Sequence, residues 1–186
     1  MENRNQASLQ SALLDPTGFK PVSELSESSV PDRPGLYAIR IQQPESLPEV
    51  YASELQARNE TLLYIGQASV SLRKRLWEEE LHASRHATFF RSIGAMLGYL
   101  PASGSLFDRK NKNNYKFIPA DQARIIDWMA QSLSVRYIEV DSDLDSLEGE
   151  LIKTHCPLIN LLGNPRPFAP LQEARRHCKE VANEEP

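Results

Sequence analysis

The chain has 186 residues, of which 40% are hydrophobic, and no apolar run approaches the roughly 20 residues that a membrane-spanning helix needs. This composition predicts one soluble domain around a single core, without a membrane span. The start of the chain lacks the pattern of a secretory signal, and its two cysteines are too few for a disulfide framework. We therefore expect a cytoplasmic protein with reduced thiols.

The net charge of −4 would repel a nucleic acid, but the charges are unevenly distributed. The segment from Ser71 to Ile118 holds nine Lys or Arg and four acidic residues, a net +5, which leaves −9 for the rest. A basic middle between acidic ends can follow a phosphate backbone. A solvated surface face explains the same charges equally well.

Three strands are predicted in chain order. Residues 1–30 are polar and show no clear strand, so we treat them as an N-terminal arm. Alternating apolar residues predict strands over Gly35–Ile41, Leu62–Gly66 and Val135–Val140. The charged, proline-containing residues 42–60 form a long connection between the first two strands.

Helical periodicity predicts five further elements. Residues 31–165 form the main domain, which carries a helical and loop insertion over about 82–133, and residues 166–186 form a helical tail. The elements are a helix capped by Ser69 or Ser71 that runs to about Leu81, helices over Thr88–Tyr99, Pro119–Leu133 and Leu144–His155, and an amphipathic segment after Pro170.

The helix after the third strand points a carboxylate toward the core. Its apolar residues leave one core-facing place vacant, four residues after Leu144, and Glu148 fills it. An ionised Glu is costly to bury unless a cation or several donors meet it. Glu148 is therefore either a ligand of a hard cation such as Mg²⁺, or a structural ion pair or partly exposed residue at the edge of the stripe.

Two tyrosines and one arginine stand in positions suited to phosphodiester chemistry. Tyr37 and Tyr64 lie on neighbouring strands, where each is either sheet filler or a group that orients or deprotonates a water. The planar fork of Arg75 suits the oxygens of a phosphoryl transition state. The alternative for Arg75 is one of three consecutive basic residues on an exposed helix.

Taken together, these motifs resemble the GIY-YIG nuclease superfamily. The resemblance covers Arg33 to Leu162, with matching order, spacing and element type. The matching motifs are Gly35-Leu36-Tyr37 and Tyr64-Ile65-Gly66 as the two tripeptides, Leu72 to Leu76 as the helix presenting the arginine, and Leu147 to Lys153 with Pro157 to Asn160 as the closing segment.

The chain departs from the family pattern in three places. The connection between the tripeptides is longer, Gln67 stands where many relatives carry a lysine, and residues from about His82 to Leu133 form a long insertion. With Gln67 in place of a lysine, the chain lacks one cation that could lower the pKa of a tyrosine. Which tyrosine acts as the base therefore stays open.

The resemblance implies an α/β (α+β) sandwich, in which helices flank a small, mainly antiparallel three-stranded sheet. It also implies a metal-dependent DNA endonuclease, with Mg²⁺ or Mn²⁺ held by Glu148 and the scissile phosphate stabilised by Arg75. The implied catalytic residues are Tyr37, Tyr64, Arg75, Glu148 and Asn160.

Basic residues and histidines around the insertion are predicted to contact nucleic acid. An ordinary polar surface is the alternative for them, and the spacing of the two histidines also fits zinc, although no further ligand lies nearby in sequence. The predicted contacts are Arg73, Lys74, His82, His86, Arg91, Arg109, Lys110, Lys112 and Lys116.

Two other functions remain consistent with the sequence. One is a nucleic-acid-binding module with a GIY-YIG-like fold and little or no cleavage activity. The other is a structural or interaction protein whose motifs match by coincidence, which a solvent-facing Glu148 and widely separated tyrosines would favour.

Overall fold

A computed structural model of the chain describes residues 2–85 and 87–185, with side chains from residue 8 onward. One antiparallel sheet has the strand order β1-β4-β2-β3. Its strands are β1 (Lys20–Pro21), β2 (Gly35–Ile41), β3 (Leu62–Ala68) and β4 (Leu133–Glu139). The predicted α/β class with an antiparallel sheet flanked by helices is confirmed.

The predicted number of three strands was wrong, because residues 1–30 contribute a fourth. In β1, Lys20 pairs with Val135 and Pro21 with Ser134, at the edge of the sheet where a proline is tolerated. Two residues are too few to show an alternating pattern. The expectation that this segment holds no strand is therefore corrected.

The five predicted helices lie close to their expected positions, and two more α-helices form within residues 1–30 and 42–60. Residues 73–81 form a π-helix rather than an α-helix, and none of the helices in the described part of the chain is long and apolar enough to span a membrane. The helices are α1 (Glu2–Leu14), α2 (Glu49–Arg58), the π-helix (Arg73–Leu81), α3 (Thr88–Met96), α4 (Pro119–Ser132), α5 (Leu144–His155) and α6 (Ala169–Asn183).

Two apolar layers cover the two faces of the sheet. Leu36 and Ala38 of β2 face α1 and α5, where Leu13 is fully buried. Tyr37 and Ile39 face the opposite layer, which α3, α4, α6 and the π-helix build. The predicted N-terminal arm thus packs against the sheet through α1.

Gly35 lies where β2 packs tightly against β4. A Cβ atom on Gly35 would stand 2.2 Å from the backbone oxygen of Ile138 and 2.7 Å from Cδ1 of Leu72. Because the oxygen belongs to a paired strand, it cannot move aside without breaking the pairing of the two strands.

We expect Gly35→Ala to destabilise the protein by about 2–3 kcal/mol through this overlap. Gly149→Ala is the matched control, since nothing lies within 4 Å of a Cβ there and alanine favours the interior of α5 by about 0.5–1 kcal/mol. Urea unfolding of both variants measures the difference. Equal stability of the two variants would contradict the assigned contact.

Candidate active site

The two tyrosines meet on one face of the β2–β3 pair. Tyr37 lies opposite Gly66 and Ile39 opposite Tyr64, so the two rings are diagonal neighbours with centroids 6.1 Å apart. A Cβ on Gly66 would lie 2.5 Å from the Tyr37 hydroxyl. The glycine of the second tripeptide therefore makes room for the tyrosine of the first.

Burial keeps both phenols in their neutral form. Tyr37 is fully buried, and its hydroxyl has no hydrogen-bond partner among the described residues, whereas Tyr64 is 8% exposed. Burial raises the pKa of both tyrosines, and the negative charge of Glu80 raises it further. The charge of Arg75 acts in the opposite direction but is outweighed. In this arrangement neither hydroxyl is a ready base.

Arg75 is held by two carboxylates. Its Nη1 lies 2.9 Å from Oε2 of Glu79, and its Nη2 lies 2.8 Å from Oε1 of Glu80. Burial alone would lower the pKa of Arg75, but the carboxylate of Glu80 and its other neighbours raise it. The guanidinium is therefore permanently charged and fixed in direction, while 32% of the side chain stays exposed.

Glu80 joins the arginine to the start of α3. Its side chain is fully buried, and its Oε2 accepts hydrogen bonds from the backbone N–H groups of Phe89 at 2.9 Å and Phe90 at 3.3 Å. Burial raises the pKa of Glu80, whereas the charge of Arg75 and the hydrogen bonds from these N–H groups lower it. One buried carboxylate thus connects Arg75 to the first turn of α3.

Sequence reasoning missed Glu80, because it ends a run of three glutamates that is typical of surface charge. A signal was present: Leu72, Leu76 and Glu80 recur every four residues, so Glu80 continues the buried stripe of its helix. This is the same kind of interruption of an apolar stripe that identified Glu148.

Glu148 is half-buried on α5 beside Gln67. Burial raises the pKa of Glu148, and hydrogen bonds from Gln67 together with the charge of Arg75 counteract that rise. The Gln67 amide also donates to Asp145. Within the described residues, Glu148 forms no ion pair. The hydrogen-bond partner of Glu148 is therefore the neutral amide of Gln67, which does not balance the negative charge of the carboxylate as a cation would.

Asn160 fastens the segment after α5 to the free edge of β3. Its Nδ2 donates to the Ile65 oxygen at 2.8 Å, and its Oδ1 accepts from the Ile65 N–H at 2.9 Å. Ile159 adds a backbone bond to Leu63 at 2.8 Å. Because both ends of the Asn160 amide are engaged by backbone, its geometry is that of a positioning residue.

A pocket of about 540 Å³ opens beside these residues, lined by Tyr64, Glu148 and Asn160. Its other wall includes Arg175, Arg176 and Lys179 of α6. The sequence predicts α6 only as an amphipathic tail. Its pattern shows which residues are polar but not which part of the fold the polar face borders.

Most of the predicted nucleic-acid contacts lie on the surface. The exposed ones include Lys74, Arg109, Lys110 and Lys116. The ammonium group of Lys112 instead donates hydrogen bonds to the backbone oxygens of residues 106 and 107. None of these residues borders the pocket of Glu148. Arg73 is half-buried and donates to the Val30 oxygen at 3.0 Å, which fixes it to the loop before β2.

Arg91 is buried, whereas His82 lies on the surface. Arg91 is only 8% exposed, because all of α3 from residue 89 onward is buried, and its predicted contact with nucleic acid stays a prediction. His82 is exposed, with its ring against Trp77 and its Nδ1 2.8 Å from the Trp77 oxygen. His86 lies outside the described residues.

No group of three or more His, Cys, Asp or Glu side chains in the described part of the chain could hold a metal ion. Glu148 nevertheless fits the requirement of a hard cation, which takes one or two carboxylates and completes its shell with water and phosphate oxygens. A carboxylate that lines a pocket without an ion-pair partner is suited to this.

A family model described as the GIY-YIG catalytic domain matches residues 35–181. The match runs from the first residue of β2 into α6, and it thus includes the tyrosine pair, Glu148 and the cations of the pocket wall. Neither a curated protein nor a solved structure matches the chain in the same comparisons.

We expect Glu80→Ala to lower the free energy of unfolding by about 2–4 kcal/mol, because it removes the buried partner of Arg75 and leaves two N–H groups of α3 unsatisfied. Glu79→Ala removes the neighbouring, partly exposed partner and should cost less than about 1 kcal/mol. Chemical denaturation measures both. A cost for Glu80→Ala no larger than that for Glu79→Ala would refute the assigned role.

Proposed function

The chain belongs to the GIY-YIG catalytic domain family, and from this premise we propose that it is a metal-dependent endonuclease that hydrolyses phosphodiester bonds in DNA. Membership of this family suggests nuclease activity. The observation that carries the proposal is the pocket in which Tyr64, Glu148 and Asn160 meet, with the charge of Arg75 close enough to act on the first two.

Arg75 stabilises the negative charge that develops on the scissile phosphate. A guanidinium has five N–H donors, and the ion pairs with Glu79 and Glu80 engage one terminal nitrogen each. Donors remain free for a phosphate on the exposed part of the side chain. Because the two carboxylates fix the guanidinium beforehand, little ordering is needed when the substrate arrives.

Glu148 is the residue that holds the divalent ion, in its ionised form. When bound, Mg²⁺ or Mn²⁺ supplies neutralising charge to the scissile phosphate and the leaving 3′ oxygen. The partners of Glu148 in this structure are the neutral Gln67 amide and more distant charges, so no protein cation has to be displaced.

Tyr64 is the tyrosine that meets the attacking water. It lines the pocket, whereas Tyr37 is fully buried behind it and supports its ring. Because the pKa of Tyr64 is raised, its neutral hydroxyl orients the water by hydrogen bonding and does not remove a proton in the ground state. Asn160 keeps Tyr64 in place through the backbone of the next residue, Ile65.

We expect the protein to nick plasmid DNA with Mg²⁺ or Mn²⁺, and both Glu148→Ala and Arg75→Ala to lower the rate at least about 100-fold. Lys153→Ala is the control, since Lys153 is exposed on α5 and does not border the pocket. Chelation by EDTA should abolish cleavage by every variant. Gel analysis of the plasmid products measures the rates.

Two results would contradict this proposal. Equal cleavage by the parent, Glu148→Ala and Arg75→Ala would identify a contaminating nuclease. Tight DNA binding by the parent without any cleavage in either metal would identify the nucleic-acid-binding module instead.

We also expect Tyr64→Phe to slow cleavage about 10- to 100-fold, because it deletes the hydroxyl that orients the water. Tyr37→Phe should leave the rate within about threefold of the parent, since the buried Tyr37 hydroxyl has no partner among the described residues. Single-turnover rates separate the two variants. A larger loss for Tyr37→Phe would transfer the water-orienting role to Tyr37.

A further inference from the structure

We infer that the polar face of α6 binds a backbone phosphate of the DNA strand beside the scissile linkage, with Lys179 and Arg175 as the contact groups. This inference rests on the proposed function and adds a second phosphate site to it. The site belongs to the C-terminal helix, which lies beyond the segment from Arg33 to Leu162 that carries the recognised motifs.

The packing of α6 directs its cations into the pocket. Leu171, Cys178 and Ala182 are buried, with at most 1% of each residue exposed, and they anchor one side of the helix. The pocket is lined by the residues at i, i+3, i+4 and i+7 of a neighbouring stripe, which a helix places on one face. These residues are Gln172, Arg175, Arg176 and Lys179.

Two of the three cations on this stripe are available for an anion. Arg176 is exposed and paired with Glu173 and Glu180 of its own helix. Arg175 and Lys179 form no ion pair among the residues that the structure describes. Glu148 is the one carboxylate of the described residues that line the pocket, so this wall carries an excess of positive charge.

The direction of the Arg175 side chain is fixed by α3. Its Nη1 lies 2.8 Å from the Ser92 hydroxyl and 3.5 Å from the Thr88 oxygen. This leaves Nε and Nη2 as donors beside the pocket. The guanidinium is hydrogen-bonded through Nη1 and keeps two further nitrogens as donors, which suits it to two oxygens of a phosphate.

Arg91 adds a further positive charge close enough to act on Arg175, although it does not line the pocket. It is 8% exposed, and its Nε and Nη1 have no hydrogen-bond partner among the described residues. Burial lowers the pKa of Arg91, and the positive charge of Arg175 lowers it further, whereas Tyr115 and the carboxylate of Glu80 raise it. Glu80 is already paired with Arg75, so one buried carboxylate serves two cations. Buried cations are costly without enough negative charge, and a phosphate beside Arg175 would add to it.

The chemistry of the wall favours a backbone phosphate over a base. Lysine, arginine, threonine and glutamine side chains commonly contact sugar and phosphate, and such contacts carry no sequence information. The described lining of the pocket includes a single aromatic ring, that of Tyr64. The site therefore fixes the position of the strand rather than reading its bases.

Fluorescence anisotropy with a labelled DNA duplex in EDTA tests the inference without cleavage. Lys179→Ala should weaken binding about tenfold at 0.1 M salt and lower the slope of log K against log salt by about 1. Arg175→Lys keeps the charge but loses the planar set of N–H donors. It should therefore weaken binding and leave the salt slope unchanged. Lys153→Ala, the control on α5, should match the parent.

Binding by Lys179→Ala and Arg175→Lys equal to that of Lys153→Ala would overturn the second phosphate site. The proposed activity would survive this result if Glu148→Ala still fails to cleave. Conversely, weakened binding by Lys179→Ala together with unimpaired cleavage by Glu148→Ala would support the phosphate site and remove the assigned catalytic role of Glu148. Circular dichroism of each variant confirms that the fold is retained.

Discussion

The free edge of β3 is the constraint on which the site depends. β3 pairs with β2 on one side only, and the other side is closed by residues 158–160, with the Asn160 amide bonded to both backbone groups of Ile65. An uncovered edge would expose unpaired N–H and C=O groups. Because this segment follows α5 directly, the hydrogen bonds that complete the sheet also hold α5 beside β3, and Glu148 of α5 lines the same pocket as Tyr64.

Charge around the pocket is arranged asymmetrically. Arg75 is held by Glu79 and Glu80, so its direction is set before any substrate binds. Glu148 has a neutral amide and more distant charges around it, and the same pocket is lined by Arg175 and Lys179, which form no ion pair within residues 2–85 and 87–185. A fixed arginine, an uncompensated carboxylate and a basic wall together complement a phosphodiester with a divalent ion. They would be a poor match for a neutral ligand.

The motifs that the sequence revealed share one property: each is defined within a single element. Tyr37 and Tyr64 follow from strand alternation, and Glu148 from an interrupted helical stripe. Features that depend on which elements meet were missed, as with the two-residue strand β1 and the buried Glu80. Periodicity also marks the polar face of α6, but only packing against α3 shows that this face borders the pocket.

The most direct measurement is a crystal structure with Mn²⁺ and a DNA duplex whose scissile phosphate resists hydrolysis. The account predicts an anomalous manganese peak about 2.0–2.3 Å from a Glu148 carboxylate oxygen, with a phosphate oxygen completing the contact and Arg75 on the same phosphate. Manganese and DNA bound outside the pocket, with Glu148 still hydrogen-bonded to Gln67, would contradict it.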